Sequence, residues 1–288
     1  MIGLNNKKIG FIVDTSSTIK NGDYDDVSVL PLGITVVENG TTKTFKDGVD
    51  FTTADLEKVI NNKNADVKTS QANVADMMKI CQDMFSKYDI VIVLPIHGKI
   101  SSNINTWRML KDDFPNLVVL MTYDIAGSFA WTLEDLREYL KTHECVEAEV
   151  QKYVDSFLNK RFGFLMVEDL SQLAKGGRVS GIKAALAKLF KIFPVIYMDY
   201  TGLKNYAKAK SNEDLFGILD KYLKEIHPGK QIVRMFLIVP IGFEDIAKQY
   251  LEDYKNHYKK EPPVTYTFPS VITTHTGLKH VALYVELK

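Results

Sequence analysis

Two short stretches set hydroxyl groups at the mouths of helices, with nothing beside them to activate an oxygen. In VKTSQAN (67–73), Thr69, Ser70 and Gln71 run straight into a periodic helical pattern. In LPIHGKISSNINTW (94–107), a buried-strand pattern is followed by His97-Gly98 and then by Ser101-Ser102 at the start of the next helical pattern. Free N–H groups and the positive end of a helix dipole favour an anion at such a place. A hydroxyl that donates to an acidic head group needs no general base. Ser and Thr ahead of a helix also serve as N-caps, accepting from the helix's own N–H groups, and for Thr69 and Ser101 both readings stand. In VITTHTGLKHVALYV (271–285), His275 and Gly277 interrupt an apolar strand pattern; the histidine is either a hydrogen-bonded structural residue or a ligand contact. In LAKGGRVSGIKAAL (173–186), Gly176-Gly177 make a backbone turn and Arg178 follows, either to pair with an acid or to stay in solvent.

What is missing narrows the chemistry. There is no G-x-G, no G-x-x-x-x-G-K-[ST] and no G-x-S-x-G, which removes the common dinucleotide, P-loop and nucleophile-elbow signatures. The six histidines (His97, His143, His227, His257, His275 and His280) form no paired metal spacing. Neither a metal nor a cofactor is expected, and the chain does not read as an enzyme. A hydrolase or acyltransferase would take Ser101 as nucleophile with His97 or His275 as base, without an elbow and without an evident acid to orient the histidine. A sugar-phosphate or nucleotide binder would use the same helix ends around a polar pocket rather than a long apolar one.

The elements that must position these groups follow from composition and rhythm. At 288 residues the chain is long enough for about two domains. Its 45% hydrophobic and 25% charged residues suit a globular protein. Lys plus Arg and Asp plus Glu both total 36, which argues against nucleic acid as a partner, since phosphate binding needs a local excess of cations. No stretch approaches the ~18 apolar residues of a membrane helix. The two cysteines, Cys81 and Cys145, have no metal spacing, Cys81 reads as core, and a reducing cytoplasm is the expected location.

Residues 7–13, 89–96 and 117–121 are short continuous apolar runs, the habit of strands buried on both faces. Between them Val74, Met77, Met78, Cys81, Met84, Phe85 and Tyr88 keep a helical spacing, as do Ile100, Ile104, Trp107, Leu110 and Phe114. A hairpin-like insert at 36–50 turns at Asn39-Gly40. Helical patterns at 128–141 and 145–158 look like a connector. The second half then predicts strands over 161–167, 192–199, 203–209, 231–239, 265–274 and 280–286, with helices over 181–190, 212–226 and 243–258. The expectation is an α/β protein of two lobes, 1–160 and 161–288. The first is a mostly parallel sheet flanked by helices; the second is an α+β lobe with a mixed or antiparallel sheet.

Taken in order, these stretches resemble the DegV family, the fatty-acid-binding proteins that serve bacterial fatty acid kinase. FIVDTSS (11–17) looks like the family's opening strand, TFKDGVDFT (44–52) is similar to its YKDGVDIS, and VKTSQAN to its KTSQPS. IHGKISSNINT (96–106) resembles ISSKLSGTYQS, LAKGGRVSGIKAAL resembles LRRGGRIGKAAAL, and ITTHTGLKHVAL corresponds to the terminal HxGPGA region. The chain departs from the pattern at His97-Gly98, at Ser102-Asn103 and at Leu278-Lys279. The resemblance implies a two-lobed fold that holds one long-chain fatty acid, such as palmitate, stearate or oleate, with its carboxylate between the lobes. It also implies no catalysis by this chain: a partner fatty acid kinase would phosphorylate the presented carboxyl group, for phospholipid synthesis, with transient membrane contact. Carried over, the head-group contacts are Thr69, Ser101 and His275, flanked by Ser70, Gly98, Ser102 and Arg178. About fifteen buried carbon groups at ~0.8 kcal/mol each offer on the order of 12 kcal/mol gross, against at best roughly 1.5–3 kcal/mol per donor to the carboxylate. Affinity then resides in the tail and orientation in the hydroxyls. Met77, Met78, Leu186 and Phe190 are candidates either for a tunnel wall or for ordinary core.

Overall fold

Strand β1 (Ile9–Asp14) is buried along its whole length, as its continuous apolar run predicts. It opens a computed structural model that describes residues 1–168, 170–177, 179–180 and 192–288. Arg178, the helix expected over 181–190, and Leu186 and Phe190 within it lie outside the described residues. The chain divides into two compact units, Met1–Leu158 with Pro269–Val271, and Asn159–Phe268 with Ile272–Lys288.

After β1 the first unit runs through β2 (Val27–Leu30), β3 (Gly33–Glu38), β4 (Thr41–Lys46), α1 (Thr53–Asn61), β5 (Ala65–Ser70) and α2 (Val74–Phe85). It continues with β6 (Ile90–Leu94), α3 (Asn103–Met109), β7 (Leu117–Val119), α4 (Ser128–Leu140) and α5 (Glu147–Asp155). Four strands form a parallel sheet in the order β2-β1-β6-β7. The chain leaves β1 for β2 on one side and returns to β6 on the other. The carboxyl ends of β1 and β6 are therefore a topological switch point, where open parallel sheets bind ligands. Phe11 and Val13 on one face meet Phe129, Leu133 and Leu136 of α4 and Val150 and Val154 of α5. The two helices that looked like a connector are thus part of this core. On the opposite face Gly10 lets α2 come close, since a Cβ there would stand 2.6 Å from Met84 Cε. Cys81 is fully buried beneath α2, and burial pushes its thiol up to about 12.

The hairpin insert is a separate antiparallel sheet, β4-β3-β5. Asn39 and Gly40 both take positive φ, 49° and 78°, as a two-residue turn that matches strand twist requires.

The second unit comprises β8 (Arg161–Val167), α6 (Ser171–Gly176), β9 (Val179–Ser180), β10 (Phe193–Asp199), β11 (Gly202–Ala209), α7 (Asn212–Ile226) and β12 (Ile232–Val239). It ends with α8 (Glu244–Tyr258), β13 (Thr265–Thr267) and β14 (His280–Leu287), while α9 (Ser270–Thr276) begins in the first unit's residues. Seven strands form one mixed sheet, β13-β12-β14-β8-β10-β11-β9, antiparallel except at its two outermost pairs. Phe162, Phe164, Leu283 and Val285 pack against Phe216, Leu219 and Tyr222 of α7 and Tyr250 and Tyr254 of α8. Arg161 and Arg234 each reach Glu286 Oε2 at 3.2 Å, neutralising a buried carboxylate on β14. Antiparallel neighbours β8 and β14 are buried at every position, so continuous burial here does not signal parallel pairing.

The strand expected over 265–274 is only three residues long. The chain then turns into α9, and Gly277 at φ 81° ends that helix by donating to Thr273 O at 2.9 Å. His275 therefore sits in the last turn of a helix, not at a break in a strand.

His280 begins β14 at 3% exposure. Its Nδ1 lies 2.8 Å from Gly277 O, a carbonyl that can only accept, so the ring proton sits on Nδ1. Nε2 is buried without a hydrogen-bond partner among the described residues. Burial lowers the pKa to about 4, partly offset by the bond to Gly277. Above an unfolded pKa near 6.5 this costs nothing. As the pH falls from there to about 4, unfolded chains take up a proton that the fold refuses, and stability drops by up to roughly 3 kcal/mol. Urea titrations across that range should show a shallower acid loss for His280→Asn than for the parent; parallel curves would contradict this.

Candidate functional site

At the switch point the chain buries an acid. Asp14 ends β1 with 1% exposure. Its Oδ1 accepts from the N–H and hydroxyl of Ser16, and its Oδ2 accepts from Ile96 N–H at 2.8 Å and Asn103 Nδ2 at 3.4 Å. Burial raises its pKa, while the bonds from Ser16, Ile96 and Asn103 pull the other way. The carboxylate thus ties the end of β1 to the segment that follows β6.

That segment carries the serine. Its first residue beyond the Ile96 contact, His97, is fully buried; Nδ1 accepts from Lys99 N–H at 3.1 Å, which leaves the ring proton on Nε2 in the neutral tautomer. The His97 carbonyl accepts from the N–H groups of Ile100 and Ser101. At Gly98 a Cβ would stand 2.2 Å from Met121 Sδ, so any larger residue would displace the Met121 side chain. Ser101 is half-buried, and its Oγ accepts from Asn103 N–H at 3.2 Å. The capping reading is therefore right about the acceptor side of the hydroxyl. Its hydrogen has no acceptor among the described residues and can still be donated. Ser102 is exposed and makes no side-chain cap bond. Asn103 joins the two, with its N–H on Ser101 and its Nδ2 on Asp14, and its Oδ1 is buried without a partner among the described residues.

Thr69 lies elsewhere than the strand end of the parallel sheet. It is the fifth residue of β5, opposite Ile34 in the antiparallel sheet. Side chains alternate along a strand, so Thr69 shares the inner face with Val67, Ile34 and Val36, which are buried, and is itself half-buried. Ser70 points to the outer face against Gly33, where a Cβ would stand 2.1 Å from Ser70 Oγ. Helix α2 is capped by Asn73, whose Oδ1 accepts from Ala75 N–H at 2.8 Å, so Thr69 is not its N-cap. The two hydroxyl-bearing stretches do meet: Thr106 Oγ1 of α3 donates to Gln71 Oε1 at 2.9 Å.

His275 is half-buried in the last turn of α9. Asp47 is also buried. Burial is the largest influence on its carboxyl and raises it to about 6, with the Asp14 charge adding to the rise and Thr15, Ser270 and Val271 opposing it. Asp14, Asn103 and Asp47 are the positions that side-chain chemistry alone did not single out. Their signal was positional, an acid directly after a buried strand in FIVDTSS and another in KDGVD.

Ser101 Oγ makes no hydrogen bond to a histidine among the described residues. No cluster of three or more His, Cys, Asp or Glu side chains suited to a metal occurs among the described residues. The second unit contains a cavity of about 570 Å³ whose wall includes Met166, Val167, Phe193, Ile246 and Val281, a size common to small-molecule sites. Among the described residues no helix is long and apolar enough to cross a membrane.

The fold and these motifs have known counterparts. The model of the DegV family, whose description is of uncharacterised proteins, matches residues 8–288. A DegV domain-containing protein of Mycoplasma pneumoniae is 30% identical over 284 residues, spanning 94% of this chain and 95% of the relative. One from Mycoplasma genitalium is 27% identical over 289 residues, spanning 97% and 99%. Among solved structures, a fatty acid binding DegV family protein from Streptococcus agalactiae has a TM-score of 0.77 at 25% identity, covering 98% of this chain and 99% of that one. A stearic acid-binding protein from Eubacterium ventriosum has a TM-score of 0.78 at 17% identity, covering 96% and 98%; that likeness carries the fold.

Removing the Asp14 acceptor tests how far the site depends on it. Asp14→Ala strands the N–H groups of Ile96 and Ser16 in a dry interior and should cost about 2–4 kcal/mol of stability by urea unfolding. A loss below about 1 kcal/mol would mean that water or a local shift replaces the carboxylate.

Proposed function

This chain belongs to the DegV family, and on that basis we propose that it binds one long-chain fatty acid and holds its carboxylate with the hydroxyls of Thr69 and Ser101. His275 is the third contact, and Gly98 and Ser102 flank the head group. The observation that carries this reading is the Ser101 hydroxyl. Its oxygen is engaged by the Asn103 N–H while its hydrogen remains to be given, beside a switch point floored by a buried acid. Such a group can hold an anion. The streptococcal relative of the same fold is described as fatty acid binding, and solved relatives carry stearic and heptadecanoic acids, which supports the ligand class.

In this reading the chain is a carrier in the cytoplasm and not an enzyme. It needs neither metal nor cofactor. A partner fatty acid kinase phosphorylates the presented carboxyl group to an acyl phosphate, and ligand exchange occurs in transient contact with a membrane. An acyl tail of about fifteen carbon groups supplies most of the affinity, so deleting one hydroxyl should disturb orientation more than retention.

Native mass spectrometry of the protein as purified should show one adduct with the mass of a long-chain acid; an adduct-free spectrum even after incubation with palmitate would overturn the ligand. Ser101→Ala should keep palmitate retention within about threefold yet lower acyl phosphate formation with the kinase about tenfold or more. Unimpaired phosphorylation would remove Ser101 from the role given to it, and ester hydrolysis abolished by the same substitution would favour a hydrolase instead.

A further inference from the structure

Helix α5 carries a polar row beside its buried one. Val150 and Val154 pack in the core of the first unit, while Glu147, Gln151 and Asp155 follow at four-residue spacing, which lines side chains up along a helix. Glu147 Oε2 pairs with Lys111 Nζ at 2.5 Å. Gln151 closes on a single residue of the main chain: its Oε1 accepts from Met121 N–H at 2.7 Å and its Nε2 donates to Met121 O at 3.1 Å. The second hydrogen of Nε2 goes to Asp155 Oδ1 at 2.8 Å. A carboxylate only accepts, so Asp155 fixes which end of the amide faces which Met121 group. A side-chain amide offers the same donor and acceptor as a peptide unit. Gln151 thus does for Met121 what a neighbouring strand would do, two residues past the end of β7.

The residues that follow Met121 carry the loop of Ser101. Leu120 N–H still donates to Val93 O at 3.1 Å, continuing the parallel sheet. Beyond it, Thr122 O accepts from Gly98 N–H at 3.2 Å, Asp124 O accepts from His97 N–H at 3.1 Å, and Thr122 Oγ1 donates to Pro95 O at 2.6 Å. The Met121 side chain itself lies against Gly98. Residues 95–98 therefore hang on 121–124, and the His97 carbonyl passes the constraint on by accepting from Ser101 N–H at 3.2 Å. Asp14 steadies the same loop from β1, at Ile96 and Asn103; the support from α5 comes through a different segment. We infer that Gln151 is a positioning residue for Ser101: by clamping the main chain at Met121 it holds the segment on which the serine's loop rests. What this does to a ligand rests on the fatty-acid reading above; the clamp itself does not.

Amide hydrogen exchange resolved by residue reads the clamp without any ligand. In Gln151→Leu the amides of Met121, His97, Gly98 and Ser101 should exchange about tenfold faster, with those of α2 unchanged as internal reference. Unchanged rates overturn the inference, and so does a gain confined to Met121, which would mean that the clamp ends where it is made. If that variant does not fold, Gln151→Glu keeps the side-chain length but sets a carboxylate against the Met121 carbonyl. It should speed the same amides at about pH 7.5, and the same two outcomes count against the idea. With palmitate labelled by carbon-13 at its carboxyl as probe, Ser101→Ala should shift the carboxyl resonance of the bound acid. Gln151→Leu should shift it in the same direction, and the double variant Gln151→Leu/Ser101→Ala should shift it no further than Ser101→Ala alone. A resonance that stays in place in Gln151→Leu, or additive shifts in the double variant, show that Gln151 does not act through Ser101. If Ser101→Ala itself leaves the resonance in place, or the parent takes up no palmitate, the reading of the site fails and the amide rates still decide the clamp.

Discussion

Taking a carboxylate out of water is costly unless donors replace the water, and at the end of β1 the chain supplies four of them. Ser16 gives two, Ile96 gives one from the backbone after β6, and Asn103 gives its amide. Each donor comes from a segment whose placement matters. Ile96 fixes the departure of the chain from the parallel sheet, and Asn103 fixes the first residue of α3. Ser101 is then set by Asn103 rather than by its own packing. One buried charge, satisfied locally, orders a loop that would otherwise have to be held by many weak contacts.

The chemistry available at the end of that chain of contacts is modest by design. A half-buried alcohol keeps a hydrogen to give, burial pushes the nearby acids up, and the imidazole of His97 accepts from the Lys99 N–H. In the proposed role, binding energy comes from apolar area and polar groups choose the orientation.

Much of this architecture was legible in the residues. β1, β6 and β7 announced themselves as continuous apolar runs, α2 through the spacing of Met77, Cys81 and Met84, and the turn of β3 into β4 through Asn39-Gly40. What could not be read was decided at a distance. The β-branched run before His275 looks like a strand, but the chain closes it into the seven-residue helix α9, which Gly277 ends. Thr69 looks like a helix cap, but Asn73 sits nearer and takes the role, and pairing with Ile34 draws Thr69 into a sheet. β2 was missed because four residues are too few to show a period. The helices α4 and α5 were misjudged because their apolar stripes say that they pack, and not against what.

The contact between Gly33 and Ser70 has a further implication. Successive residues of β5 show opposite faces, so sliding that strand by a single step along β3 would present a different alcohol inward and turn Thr69 out to solvent. A Cβ opposite would turn the Ser70 hydroxyl out of its observed place, and β3 has a residue without one only at its start. The missing methyl group thereby favours the observed alignment of the two strands, the one that shows Thr69 to the interior.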